Sequence, residues 1–137
     1  MAERVGKILI IDDEPRITAA LMIRLESKGY NVCHAINGLA GVEAACLCKP
    51  DVIVLDIRMP DIDGYETCTR IRRMPGLETI PVVFLSANVQ DSARSRAIAC
   101  GGSQFISKPY DADDVIGAIE SCIIAREHAQ NSAGCER

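Results

Sequence analysis

Residues 52–64 read VIVLDIRMPDIDG, and the apolar run VIVL at the start of this stretch decides the fold. Four consecutive residues of this kind are typical of a strand that is buried on both faces, as in a parallel sheet. Similar runs occupy residues 7–11 (KILII) and 82–85 (VVFL). The runs at residues 31–35 (NVCHA) and 104–106 (QFI) are shorter or more mixed, which suits the edges of the same sheet. The sequence therefore predicts five strands.

Helical patterns lie between the predicted strands. In the first of them Ile17, Leu21 and Leu25 recur at intervals of four residues, and Gly29 ends the helix. Further helices are predicted at about residues 39–48, 65–74 and 91–99 and from residue 111 onward. Strands that alternate with helices form βαβ units with right-handed crossovers. We therefore expect an α/β fold in which five helices doubly wind a five-stranded parallel sheet, (βα)5.

Length and composition limit the domain organisation. The chain has 137 residues, a formal net charge of −4 and 48% hydrophobic residues, which is ordinary for one globular domain. We expect that domain at residues 1–127 and a polar, frayed tail at residues 128–137. Because the apolar runs are too short for a signal peptide or a membrane span, we expect a cytoplasmic location. The negative charge argues against direct nucleic-acid binding.

Seven cysteines are the most conspicuous feature of the composition. Their odd number and the lack of an export signal argue against a disulfide framework. Cys46 and Cys48 form a CxC, but no CxxC occurs. With only His34 and His128 available, no zinc site of recognised spacing can be drawn. We interpret the cysteines in apolar stretches as small buried hydrophobes.

Polar side chains follow four of the five predicted strands, at the points where these strands end. Asp12 and Asp13 follow the first strand, Asp56 the third, Ser86 the fourth and Lys108 the fifth. Ligands of open α/β sheets bind beyond the carboxyl ends of the strands. The sequence therefore predicts a cluster of three carboxylates, one hydroxyl and one ammonium at one edge of the sheet.

Such a cluster favours magnesium-dependent phosphoryl chemistry. Three close carboxylates raise one another's pKa values unless a cation neutralises them, and Mg²⁺ prefers oxygen ligands. A carboxylate beside that ion can attack phosphorus and form an acyl phosphate, while an ammonium and a hydroxyl bind the phosphoryl oxygens. Taken singly, each residue also has a structural interpretation, such as a helix cap for Asp13 or a turn for Asp56. Their joint position favours the functional interpretation.

Competing motifs fit less well. Residues 61–64 (DIDG) resemble part of a calcium loop, but Met59 would then stand at the first ligand position. A DxD phosphotransferase motif fails at Asp56 because Arg58 stands where the second aspartate should be. The sequence contains neither a Walker A motif nor GxGxxG.

Five short motifs, in chain order, carry a resemblance to a known family. They are DD (12–13), VLDIRMP (54–60), DG (63–64), LSA (85–87) and KP (108–109). Together they resemble a response-regulator receiver domain of two-component systems, over about residues 6–126. The resemblance implies the flavodoxin-like strand order 2-1-3-4-5, which puts the first and third strands side by side where the acids lie.

The resemblance assigns roles to the predicted cluster. It implies that Asp56 is the phosphoacceptor and that Ser86 and Lys108 are the other catalytic residues, which bind the phosphoryl oxygens. It also implies that Pro109 follows a cis peptide bond.

The resemblance implies a Mg²⁺ site made from the same cluster. Asp13 and Asp56 would bind the ion through their carboxylates, and Asp12 largely through water. Arg58 would contribute its backbone carbonyl.

The resemblance also implies a switch and its partners. Ser86 and Phe105 stand at the switch positions, although Phe105, where tyrosine is common in the family, also fits a plain core aromatic. The phosphoryl group would come from a sensor histidine kinase or a histidine phosphotransfer protein. The fourth helix, fifth strand and fifth helix would carry the signal to a downstream protein. The chain would not be an enzyme beyond its own phosphorylation and dephosphorylation.

Two other functions stay open on the sequence. One is a constitutive interaction module of the same fold whose site no longer switches. The other is a turnover phosphatase that hydrolyses an exogenous phosphoester.

Overall fold

Five parallel strands form one sheet in the computed structural model, which describes residues 6–87 and 90–135. The strands are β1 Lys7–Ile11, β2 Asn31–Ala35, β3 Val52–Asp56, β4 Val82–Ser86 and β5 Gln104–Ser107. Their order is β2-β1-β3-β4-β5, and each strand pairs in parallel with its neighbours. The predicted fold class and strand order are confirmed.

Each strand is followed by a helix. The helices are α1 Pro15–Ser27, α2 Gly38–Cys48, α3 Gly64–Arg72, α4 Asp91–Ala99 and α5 Ala112–Cys135. Buried residues of α2, α3 and α4 pack on one face of the sheet, and those of α1 and α5 pack on the other. The sheet is therefore doubly wound, as the alternation of strands and helices predicts.

The central strands are apolar throughout because both of their faces are covered. In β1, Leu9 and Ile11 point to the face under α2 and α3, whereas Ile8 and Ile10 point to the face under α1 and α5. All four side chains are at most 1% exposed. A large aliphatic side chain buried in this way contributes roughly 1.5–3 kcal/mol to folding.

The register of the sheet brings the strand ends together. Ile11 pairs with Leu55, so Asp12 and Asp56 follow neighbouring positions on β1 and β3. The chain leaves β1 for α1 on one face and leaves β3 for α3 on the other. A crevice opens at such a switch point, and in open α/β sheets it is the usual ligand site.

The last helix is longer than the sequence analysis indicates. The backbone of α5 is helical to Cys135, so residues 128–135 continue the helix instead of forming an irregular tail. The stretch from Ala125 to Gln130 contains good helix formers, which favours the first part of the extension. The boundary at residue 127 between a domain and a tail stays a prediction. Among the described residues, no helix combines the length and the apolar composition needed to cross a bilayer.

Gly64 allows α3 to begin directly beneath the end of β3. Its backbone N–H donates to the carbonyl of Ile57 at 2.7 Å. A Cβ at this position would lie 2.6 Å from the carbonyl oxygen of Asp56 and 2.7 Å from the Cα of Ile57. The neighbour is backbone in both cases, so it cannot move away cheaply. The absence of a side chain at Gly64 thus allows the start of α3 to pack closely against the backbone of Asp56 and Ile57.

We predict that Gly64→Ala lowers the free energy of unfolding by about 1–3 kcal/mol because the added methyl group overpacks the backbone after Asp56. Gly117→Ala is the matched control, since a Cβ there meets nothing within 4 Å. It should raise the stability by about 0.5–1 kcal/mol, because alanine favours the interior of a helix. Urea denaturation measures both values. Equal effects of the two substitutions would contradict the close approach.

Candidate functional site

Four acidic side chains meet at the carboxyl edge of β1 and β3. Carboxylate oxygens of Asp12, Asp13, Glu14 and Asp56 all lie within 4.8 Å of one another. Asp12 and Asp56 are buried, with 1% and 2% of their surface exposed, whereas Asp13 and Glu14 are exposed. The cluster therefore has a buried floor and a solvent-facing rim, which is a suitable shape for a hydrated cation.

Asp12 has the least compensated charge in the cluster. Its Oδ1 accepts a hydrogen bond from the backbone N–H of Glu14 at 2.8 Å, but its Oδ2 is buried without a hydrogen-bond partner among the described residues. Burial raises the pKa of Asp12 to about 6, and the charges of Asp56 and Asp13 contribute to this increase. A buried oxygen with no partner requires an explanation, and a bound cation supplies one. Oxygen donors of this kind fit Mg²⁺.

Asp56 is held by a cation and a backbone donor. Lys108 Nζ donates to Asp56 Oδ2 at 2.7 Å, and the backbone N–H of Arg58 donates to Oδ1 at 3.2 Å. Burial lowers the pKa of Lys108, but its hydrogen bond to Asp56 and the nearby carboxylates outweigh this, so the pKa is raised overall. Lys108 therefore stays charged, and it also lies 3.7 Å from a carboxylate oxygen of Glu14.

The end of β5 places Lys108 in the site. The backbone N–H of Lys108 donates to the carbonyl of Ser86 at 2.7 Å, which ties the end of β5 to the end of β4. The peptide bond between Lys108 and Pro109 is cis, as the sequence analysis expects.

A cavity lies next to Asp56 on the side of β4. Its volume is about 400 Å³, and its lining residues are Ile57, Arg58, Tyr65, Ser86 and Ala87. Ser86 is itself 4% exposed. The small side chain of Ala87 and the hydroxyl of Ser86 thus border a space large enough for a phosphoryl group and part of its donor.

Phe105 lies apart from the acidic cluster. It is half-buried on β5 and packs against the core under α2, α3 and α4. The guanidinium carbon of Arg94 on α4 lies 5.0 Å from the centre of its ring. The structure therefore brings together Asp12, Asp13, Asp56 and Lys108, whereas Phe105 contacts α4.

Two residues near the site escape the sequence analysis. Glu14 is part of the acidic cluster. The run of three acidic residues at positions 12–14 could have predicted this. Tyr65 donates from its hydroxyl to the carbonyl of Ala93 on α4 at 3.2 Å and packs against Phe84. The sequence indicated no role for Tyr65 beyond its being one of few aromatic residues. A contact between residues on different helices produces no short-range sequence pattern.

Comparison with protein families gives a match over most of the chain. Residues 8–120 match the family described as the response regulator receiver domain. The DNA-binding dual master transcriptional regulator RpaA of Synechocystis sp. is 34% identical over 117 residues, which are 85% of this chain and 48% of that protein. The chain spans about half the length of the curated relatives that it matches.

Solved structures show the same fold. The signal receiver domain of a signal transduction histidine kinase from Syntrophus aciditrophicus is 33% identical, with a TM-score of 0.80 over 88% of this chain and 92% of that one. A CheY-like response regulator receiver domain protein from Methanospirillum hungatei has a TM-score of 0.85 at 21% identity, over 92% of this chain and 99% of that one. The second similarity shows the fold alone.

We predict that Asp12→Asn stabilises the protein at pH 7.5 in the absence of divalent cations, by about 1–3 kcal/mol. The pKa of Asp12 is about 6 in the folded protein and 3.8 in the reference state, so its ionised form opposes folding above pH 6. The stability difference should shrink as the pH falls toward 5, because the wild-type carboxyl then takes up a proton. Urea denaturation at both pH values measures this difference.

Mg²⁺ supplies the control for this experiment. Adding the ion at pH 7.5 should stabilise the wild type more than Asp12→Asn, since only the wild type has the buried charge to neutralise. If Asp12→Asn were less stable than the wild type in EDTA at pH 7.5, the prediction that the ionised Asp12 destabilises the fold would be wrong.

Proposed function

The chain belongs to the family of response regulator receiver domains, and from this membership we propose that it accepts a phosphoryl group on Asp56. The donor is a sensor histidine kinase or a histidine phosphotransfer protein. The contact of 2.7 Å between Lys108 Nζ and Asp56 Oδ2, beside the acidic cluster, is the observation that best supports this function. It joins a buried carboxylate to the cation that a phosphoryl group on that carboxylate requires.

The chemistry follows from the groups around Asp56. A carboxylate oxygen of Asp56 attacks phosphorus, an acyl phosphate bond forms, and the bond from phosphorus to the donor's nitrogen breaks. The ammonium of Lys108 and the hydroxyl of Ser86 then bind phosphoryl oxygens. Attack by water on phosphorus then breaks the acyl phosphate bond, releases inorganic phosphate and restores the carboxylate. The chain catalyses these two steps on itself and turns over no other substrate.

The proposed metal site uses the acidic cluster. Asp12, Asp13 and Asp56 would hold Mg²⁺ together with the backbone carbonyl of Arg58. The unpartnered Oδ2 of Asp12 supports this donor set. When bound, Mg²⁺ neutralises the carboxylates and polarises a phosphoryl oxygen.

Phosphorylation would change what the α4–β5–α5 surface binds. Ser86 and Phe105 are the proposed switch residues, because one borders the cavity beside Asp56 and the other contacts α4. On α4, Ile98 is 64% exposed and lines a second cavity, of about 190 Å³, together with Phe105. A downstream protein would bind here.

The remaining proposals concern location and partners. A phosphoryl donor of the histidine kinase class uses ATP, so we place the chain in the cytoplasm. The net charge of −4 supports contact with proteins over contact with nucleic acid. RpaA is named as a DNA-binding regulator, but that protein is about twice as long as the region that matches this chain.

We predict that incubation with Mg²⁺ and a small acyl phosphate adds the mass of one phosphoryl group to the wild type. Asp56→Asn should abolish the gain, because the amide is a poor nucleophile. Glu43→Gln, which changes an exposed carboxylate on α2, should leave it intact. Intact-protein mass spectrometry measures each product. No gain with any acyl phosphate or phosphoramidate donor would reject Asp56 as a phosphoacceptor.

A second prediction tests switching. Beryllofluoride, which imitates a phosphoryl group on a carboxylate, should change amide hydrogen exchange in α4 and β5 and leave β1 unchanged. The reason is that Lys108, which contacts Asp56, directly follows the end of β5. Asp56→Asn is the control and should show no response. Unchanged exchange in the wild type would favour the constitutive interaction module.

A further inference from the structure

Two cysteines face each other where the C-terminal end of α2 lies against β2. Cys33 lies in the middle of β2, and Cys48 is the last residue of α2. Their Sγ atoms are 3.0 Å apart, and the thiol of Cys48 donates to the sulfur of Cys33. Both residues are unbridged and half-buried. The separation is about 1 Å longer than a disulfide bond.

The backbone around Cys48 is fixed by two independent contacts. Lys7 Nζ on β1 donates to the carbonyl of Cys48 at 3.0 Å. The next residue, Lys49, ends α2 in the left-handed conformation at φ 50°, and its N–H donates to the carbonyl of Ala45 at 3.0 Å. The last turn of α2 is therefore anchored to β1 on one side and capped on the other.

Cys33 is fixed by the sheet. It pairs with Leu9 of β1 and packs against the core that α2 covers. Because the strand and the end of the helix are both anchored, the two sulfur atoms are held together by the fold and not by a loop. Bond formation requires the two sulfur atoms to approach by about 1 Å more.

We propose that Cys33 and Cys48 form a dithiol modification site that a low-molecular-weight disulfide of the glutathione class converts to an internal disulfide. One thiolate attacks the small disulfide, forms a mixed disulfide and releases one small thiol. The second thiolate attacks the mixed disulfide, forms the Cys33–Cys48 bond and releases the second small thiol. The protein loses two protons and two electrons, and the small disulfide gains them.

The other described cysteines are placed differently. Cys68 is buried, and its thiol donates to the carbonyl of Cys100 at 3.2 Å. Cys122 is buried in the core between the sheet and α5. Cys46 lies on α2, two residues before Cys48, and is half-buried against the sheet. Cys46 therefore provides a matched control on the same helix.

The test is a redox titration of the full chain in mixtures of reduced and oxidised glutathione. The reaction is stopped by acid and alkylation, and the products are measured by mass spectrometry of the intact protein and of its peptides. We expect the wild type to lose about 2 Da and to yield a linked peptide that joins Cys33 and Cys48. Cys46→Ser should yield the same link, whereas Cys33→Ser and Cys48→Ser should not.

The outcomes separate the proposal from general thiol reactivity. Glutathione adducts without an internal link, a link that involves Cys46, or unreacted thiols at every ratio would each overturn it. Far-UV circular dichroism of the serine variants tests whether each of them is folded. A thermal shift provides a second measurement. The oxidised wild type should unfold at a higher temperature than the reduced one, and Cys48→Ser should show no such shift.

Discussion

Asp12 and Asp56 are buried carboxylates at the ends of two neighbouring central strands, and the site depends on how their charges are neutralised. Removing an ionised carboxylate from water costs several kcal/mol unless a partner compensates it. Lys108 Nζ lies 2.7 Å from Asp56 Oδ2, but Oδ2 of Asp12 has no hydrogen-bond partner in the part of the chain that the structure describes. The Glu14 N–H and the charge of Lys108 lower the pKa of Asp12, but burial outweighs them, so the described residues compensate this charge only in part. That cost is explained if the site must bind a cation and then an anion on Asp56.

Lys108 connects Asp56 to the strands at one edge of the sheet. Its ammonium contacts Asp56, and its backbone N–H contacts the carbonyl of Ser86. Three strand ends are therefore linked through one residue. Under the proposed function, a phosphoryl group on Asp56 would add negative charge and volume at the position that Lys108 now occupies, so Lys108 would move relative to β3. Phe105 precedes Lys108 by three residues, so the backbone would carry part of this displacement to it.

The fold could be predicted from the sequence because each strong pattern is local. The runs at β1, β3 and β4 are apolar since both faces are covered, and a polar residue directly after each run necessarily lies at the sheet edge. The assembly of Asp12, Asp13, Asp56 and Lys108 follows from that geometry. The particular strand order and the cis bond before Pro109 came from resemblance to a family and not from the pattern itself.

The features that escaped prediction depend on how helices are oriented on the sheet. Tyr65 and Ala93 are 28 residues apart, and Cys33 and Cys48 are 15 apart, so no short-range spacing indicates either contact. The extra turns of α5 escaped for another reason. Residues 128–135 match an irregular tail by composition and include the weak helix formers Asn131, Ser132 and Gly134, but the backbone continues the helix to Cys135.

The helix with the weakest sequence pattern is the one best suited to move. In the described part of α4, only Ala93 and Ala97 are buried, so little apolar surface holds it on the sheet. Its other contacts are polar or aromatic. Arg96 lies 4.2 Å from the ring of Tyr65, and Arg94 lies 5.0 Å from the ring of Phe105. Such contacts contribute about 0.5–1 kcal/mol each at exposed positions. Tyr65 borders the cavity beside Asp56, so under the proposed function α4 would shift at low cost when that cavity fills. The poor amphipathic pattern of α4 therefore supports its proposed role in the response to phosphorylation.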